Sequence, residues 1–196
     1  MPTNPKNKIK YNLRNVHIAK ATVDADGVFT YGTPVAMPGA VSMSLSAEGE
    51  TNPFYADGLV YYRSVANNGY EGDLEMALIP DWFRQDILQE SLDTNNVLVE
   101  FADITEAVYF AMLFEFDGDK HKVRHVLYAC QASRPEVAAQ TKEASITPNT
   151  ETLHITADPR MNDNLVKART TADTGATAYN GWYSAVYEPV TQTQGG

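Results

Sequence analysis

Cysteine is almost missing from this 196-residue chain: Cys130 stands alone. One thiol excludes an internal disulfide framework and cannot by itself supply a cysteine-rich metal site. Within HVLYACQA it reads as a small buried hydrophobe on a strand. Long apolar runs are missing as well, and no window approaches the ~20 apolar residues of a membrane span. The early lysines have no apolar stretch behind them, so no secretory signal and no membrane anchor are expected, and folding in a cytoplasm is. Positive charge is scarce: 15 Lys and Arg stand against 25 Asp and Glu, a net charge of −10. A body of that sign repels a phosphate backbone and argues against nucleic-acid binding as the main activity.

Catalytic and ligand-binding signatures are equally thin. No phosphate loop, dinucleotide fingerprint or nucleophile elbow occurs. Asp173-Thr-Gly-Ala176 matches the short signature of aspartic proteases. The segment before it is polar, however, and the chain holds no second such motif, so a plain turn is the better reading. Asp24-Ala-Asp-Gly27 is a fragment of a calcium loop, but the sixth and twelfth positions hold Phe29 and Val35 instead of Gly and Glu. His121 and His125 on an extended strand stand about 13 Å apart at ~3.3 Å per residue. That is too far for one ion, and both read as exposed hairpin residues. His17 and His154 sit alone in strand patterns, without a companion Cys or clustered acid. The row Glu71, Asp73, Glu75 lacks the apolar setting that would raise one carboxyl for acid–base work. No cofactor, no metal and no enzymatic activity are expected.

What is present is a pattern of one-sided strands. In AVSMSLSAEGE, Val41, Met43 and Leu45 alternate with Ser42, Ser44 and Ser46; in YEGDLEMALIP, Leu74, Met76 and Leu78 alternate with Glu71, Asp73 and Glu75. Successive strand side chains fall on opposite faces, so each segment has a buried and a wet side. Ser42, Ser44, Glu71, Asp73 and Glu75 share the wet side and are candidates to line a channel. Between the strands runs ETNPFYADGLVYYRSVANNGY, too aromatic for a solvated loop. Its residues Glu48, Glu50, Phe54, Tyr55, Asp57, Leu59, Tyr61 and Tyr62 are candidates for a contact that another copy of the protein covers.

Charge is also distributed unevenly. Up to Val23 there are five basic residues and no acid, which leaves a net of −15 for the remainder (10 basic against 25 acidic). Lys6, Lys8, Lys10 and Arg14 therefore form a basic arm over residues 1–14, either solvated or docked on an acidic face of a neighbouring subunit.

Strands are expected at Asn15–Thr22, with Val16, Ile18 and Lys20 on one side, and at Val28–Tyr31, Val97–Ala102, Tyr109–Phe116 and Lys122–Ala132. Further strands are expected at Glu136–Thr141, Thr152–Ala157 and Val166–Thr170, with a turn at Ser145–Thr150. Pro80 and Asp81 open one amphipathic helix of about three turns with Phe83, Ile87 and Leu88 on its inner face. From Thr171 the chain is Thr/Ala/Asn/Gly-rich, although Trp182, Tyr183 and Tyr187 suggest that part of it docks. The expected class is all-β with one flanking helix, a β-sandwich or partly closed barrel over residues 15–170, followed by a polar tail over 171–196.

Long phrases of the chain also resemble a known family. YGTPVAMPGAVSMSLSAEGETNPFYADGLVYY, NNGYEGDLEMALIPDWFRQDIL, FEFDGDKHKVRHVLYACQASRP and TKEASITPNTETLHITADPR are similar to the major tail proteins of long-tailed, non-contractile bacteriophages. The likeness runs from about Tyr11 to Arg169. It implies a tail-tube β domain that forms hexameric rings, stacked around a tape-measure protein into a tube that conducts DNA. It also implies tail terminator and tip proteins as partners, and a virion location after synthesis in a bacterial host. The other reading of the same residues is a receptor- or carbohydrate-binding β-sandwich at the tail tip.

Overall fold

The computed structural model describes residues 4–103, 106–141 and 148–190. Strand β1 spans Lys10–Val23, β2 Phe29–Tyr31, β3 Val35–Ala36 and β4 Ala40–Glu48. The hairpin strands β5 (Thr51–Ala56) and β6 (Leu59–Val65) follow, then β7 (Gly69–Met76) and helix α1 (Asp81–Asp86). Two short strands, β8 (Ser91–Leu92) and β9 (Leu98–Val99), precede the long hairpin of β10 (Phe110–Gly118) and β11 (Val123–Ala132). The last described elements are β12 (Glu151–Asp158), β13 (Lys167–Arg169) and helix α2 (Ala176–Asn180). The fold is thus mostly β, as expected, with a second helix that the sequence pattern did not indicate.

One antiparallel sheet dominates, in the order β2-β1-β10-β11-β12-β7-β4, with β3 added beside β1 and β13 beside β11. Val16 and Ile18 of β1 share a core with Leu74 and Met76 of β7, Leu153 and Ile155 of β12, and Phe83, Ile87 and Leu88 at α1. Met43 and Leu45 of β4 pack on the same cluster, and β1 and β4 approach each other directly. The sheet is therefore curled around its own apolar face, with α1 plugging the interior.

The central hairpin is buried on both sides. Phe110, Met112 and Phe114 face the main core, whereas Ala111 and Leu113 face a second cluster with Val126, Tyr128, Ala19 and Trp182. Such strands read as continuous apolar runs because neither face meets water.

Several elements depart from the alternation pattern for identifiable reasons. Val41 is exposed, because the pairing of β4 with β7 slips between Ala40 and Ser42; this bulge turns Val41 outward while Met43 and Leu45 stay inward. Leu78 is also exposed: β7 ends at Met76, and Ile79 takes the buried position. Helix α1 has six residues instead of three turns. Its apolar face is the expected one, but Gln89 at φ 62° cannot continue a right-handed helix.

Val97–Ala102 contributes only β9, paired with β8. Residues 136–141 carry no strand, and 145–147 of the expected turn lie outside the described residues. Strand β1 begins at Lys10, five residues earlier than expected. Two slips in its register with β10 coincide with Asn12 and Asn15 at φ 56° and 52°, conformations that asparagine tolerates. Lys20 is exposed, unlike Val16 and Ile18.

The C-terminal segment packs on the sheet through its aromatic residues. Trp182 is 2% exposed and its indole Nε1–H donates to the His125 carbonyl at 3.2 Å. Tyr187 stacks on it at 5.2 Å. Two arginines clamp the same segment. Arg124 donates to the Tyr179 carbonyl and lies 3.9 Å from the Tyr179 ring centroid. Arg160, buried, binds Glu188 at 2.8 Å. Residues 171–190 are therefore a second layer over the sheet.

Candidate functional site

Three surfaces could carry function, and each is set by the sheet. The first is the outer face of β4, β7 and β12. Cross-strand pairing places Ser42 beside Glu75 and Ser44 beside Asp73, with His154 beside Asp73 on the other flank. The Ser42 hydroxyl donates to Glu75 at 2.7 Å, and Thr150 donates to the other carboxylate oxygen at 2.7 Å. These two bonds hold the Glu75 carboxyl below the usual range.

His154 does not sit alone, contrary to the sequence reading. Its Nδ1 lies 2.9 Å from Asp73 and its Nε2 2.8 Å from Glu71. Both acids are one strand away at register positions that only the β7–β12 pairing reveals. A ring with a carboxylate at each nitrogen donates twice only as the imidazolium, and the two acids raise its pKa above the ordinary value. The contribution to stability is present below the unfolded-state value near 6.5 and fades as pH rises through the folded value. The ring is 43% exposed, so solvent keeps the energy small. An NMR titration is expected to give His154 a midpoint above 6.5, and Glu71→Gln with Asp73→Asn to return it toward that value.

The second surface is the hairpin β5–β6. Asp57 and Gly58, at φ 51° and 76°, form its two-residue turn, the geometry that an Asp-Gly pair favours. The ladder pairs Phe54 with Tyr62 and Tyr55 with Val60. Because successive residues alternate faces, both sides of this hairpin are apolar. Phe54, Tyr55, Leu59, Tyr61 and Tyr62 are between 60% and 78% exposed. Glu48, Glu50 and Asp57 are exposed as well. The sequence reading identified the segment's composition but not its hairpin, for which the Asp-Gly pair between apolar runs was the available signal.

The third is the basic arm, which from Asn7 onward is tied to its own chain. Asn7 accepts the backbone N–H groups of Lys120 and His121 and donates to the His121 carbonyl. Asp119 accepts the Lys8 N–H at 2.7 Å, which holds its carboxyl below the usual range. Arg14 pairs with Asp117 at 3.1 Å, and Lys10 lies over Phe116. Lys10 and Arg14 are strand residues, so only the side chains of Lys6 and Lys8 remain as an exposed arm among the described residues.

His125 is another departure. It is not an exposed hairpin residue but stacks on Phe114 at 5.1 Å, and burial together with Arg169, Lys167 and Lys10 pushes its pKa down to about 4. Glu115, fully buried, went unnoticed in the sequence: it receives Asn15, Lys122, Arg124 and Tyr183. An acid in the middle of an otherwise apolar run, FAMLFEF, was its only signal. Asp173 lies in a turn before α2, and Asp24 closes its own turn by accepting the Asp26 and Val28 N–H groups.

Among the described residues, no group of three or more His, Cys, Asp or Glu side chains is arranged to hold a metal ion. No described helix is long and apolar enough to cross a membrane. No protein-family model matches the chain, and no curated protein matches it.

Proposed function

We propose that this protein is a structural subunit that polymerises with itself into a tail tube of the long-tailed phage type, a stack of rings through which DNA passes. The observation that carries this reading is the hairpin β5–β6, apolar on both faces and exposed in the single chain. A surface of that kind in a soluble protein marks an interaction site. Strand β4 adds a second assembly feature: it pairs with β7 on one edge, and no described strand pairs with the other. Such an open edge is a template for a strand of another chain. The resemblance in sequence to major tail proteins accounts for both features, and the mostly β fold is compatible with it. Head-to-tail contacts that do not close on themselves give filaments.

In this assembly Ser42, Ser44, Glu71, Asp73 and Glu75 face the lumen, where negative charge keeps translocating DNA from adhering to the wall. Electron microscopy of the purified protein tests the reading. Tubes with a regular axial repeat are expected at high protein concentration. Monomers at every concentration, with measurable affinity for a glycan, overturn it in favour of a tail-tip binding domain. Replacing Glu71, Asp73 and Glu75 by lysine is expected to leave the fold nearly intact, since all three side chains project from the wet face, yet to impair DNA delivery by assembled particles. A tube reconstruction with these carboxylates on the outer surface refutes the luminal assignment.

A further inference from the structure

A cavity of about 340 Å³ opens where β4 and β7 diverge from the outer half of the β10–β11 hairpin. Met43, Leu45, Phe114 and Phe116 form the apolar part of its floor, Ser44 and His125 line it as well, and its rim carries Lys10 and Lys167. No carboxylate lines it, which is unusual on a chain with a net charge of −10. Most arginines of the molecule are engaged with acids, as Arg14, Arg84, Arg124, Arg134 and Arg160 show. Lys10 and Lys167 have no such partner among the described residues. Each rests on an aromatic ring instead, Lys10 4.9 Å from the centroid of Phe116 and Lys167 4.1 Å from that of Tyr70. The site therefore offers two cations without an acid partner above a partly apolar floor, and its complement is an apolar group carrying one negative charge.

The tip of hairpin β5–β6 has that chemistry: Asp57 stands at the turn, flanked by the exposed Tyr55 and Leu59. We propose that the hairpin tip of a second copy of this chain occupies the cavity, with Asp57 between Lys10 and Lys167 and Tyr55 and Leu59 over the apolar floor. This contact rests on the self-assembly reading and specifies where the hairpin goes. The occupant cannot be the chain's own tip. Leu45 and Tyr70 of the cavity wall lie beside Glu48 and Gly69, where the hairpin departs. From there the ladder, with one register shift between Phe54 and Tyr55, runs from Thr51 and Val65 to Ala56 and Leu59, about 20 Å at ~3.3 Å per residue. A paired hairpin holds its own tip away from the cavity at its base.

Two single-cysteine variants, Asp57→Cys and Lys167→Cys, mixed in equal amounts under mild oxidation test the contact, since Cys130 is fully buried and inert. A disulfide between two chains is expected for this pair. Asp57→Cys mixed with Lys20→Cys, on an exposed position at the other end of β1, is expected to give none. In parallel, Lys10→Glu with Lys167→Glu is expected to raise the concentration needed for assembly roughly tenfold, and Asp57→Lys to restore it. Tubes that form without the Asp57–Lys167 cross-link, or charge reversal without effect, overturn the contact while leaving the tube reading intact. A cross-linked pair from protein that forms no tubes supports the contact and removes the tube reading. Absence of both removes both.

Discussion

Replacing Thr51–Val65 by an Asn-Gly turn is expected to yield a soluble, folded protein that no longer forms long tubes. The hairpin contributes no residue to any of the three core clusters, so its removal should leave the melting temperature within a few degrees of the parent. The cut ends are already adjacent: the Ala66 N–H donates to the Glu50 carbonyl at 3.0 Å and the Asn68 N–H to that of Glu48 at 2.9 Å. A two-residue turn can therefore close the gap without distorting β4 and β7. Assembly should suffer far more than the fold. An aromatic side chain buries roughly 150–250 Å², and at about 25 cal/mol per Å² each one covered by a neighbour contributes several kcal/mol before entropy is subtracted. Four such residues, Phe54, Tyr55, Tyr61 and Tyr62, repeated at every subunit would dominate the contact. Sedimentation and electron microscopy of the variant decide the matter, and tubes of normal length would eliminate the hairpin as an assembly element.

Trp182→Ala is expected to be the most destabilising single change. The indole is buried in the second cluster against Ala111, Leu113, Val126 and Tyr128. Its truncation should cost about 3–5 kcal/mol, the range for large aromatic residues in cores. For a chain of this size that lowers the melting temperature by roughly 6–20 °C, a large part of the 5–15 kcal/mol typical of a whole domain. Removing residues 171–190 altogether should be worse. Arg160 would lose Glu188, and the buried Glu115 would lose the Tyr183 hydroxyl at 3.3 Å. Leaving buried charges short of partners costs more than the contacts themselves contribute. Thermal unfolding followed by far-ultraviolet dichroism, which does not depend on the indole that both variants lack, checks both. A melting point unchanged by Trp182→Ala would show that the C-terminal layer is not part of the cooperative unit.

The reading of the acidic face shows how far one strand can be interpreted without its neighbours. Alternation placed Glu71, Asp73 and Glu75 on a wet surface opposite Leu74 and Met76, and they are there. Nothing in the spacing of residues 71 to 75 indicates that His154, some eighty positions later, lies between two of them. That depends on the pairing of β7 with β12 in a single register, Asp73 opposite His154. A one-residue slip would turn the ring into the core.

Local chemistry was legible where the physics is local. The class of the fold, the β10–β11 hairpin, the buried face of α1 and the Asp24 turn follow from side-chain alternation, turn residues and helix starts, all of which act within a few residues. The aromatic composition of residues 54–62 was legible too, and the structure leaves those side chains exposed. Other features were set by the tertiary structure alone. A bulge at Ala40–Ser42 reversed Val41, and although the tail's aromatics hinted at docking, only the fold shows that Trp182 packs against the far side of the central hairpin. The lysines at 10 and 167 came to share one cavity because β1 and β13 meet on opposite sides of the β10–β11 pair. These outcomes depend on which strands pair and in what register, and that is decided by the sum of contacts across the curled sheet, not by any window of the chain.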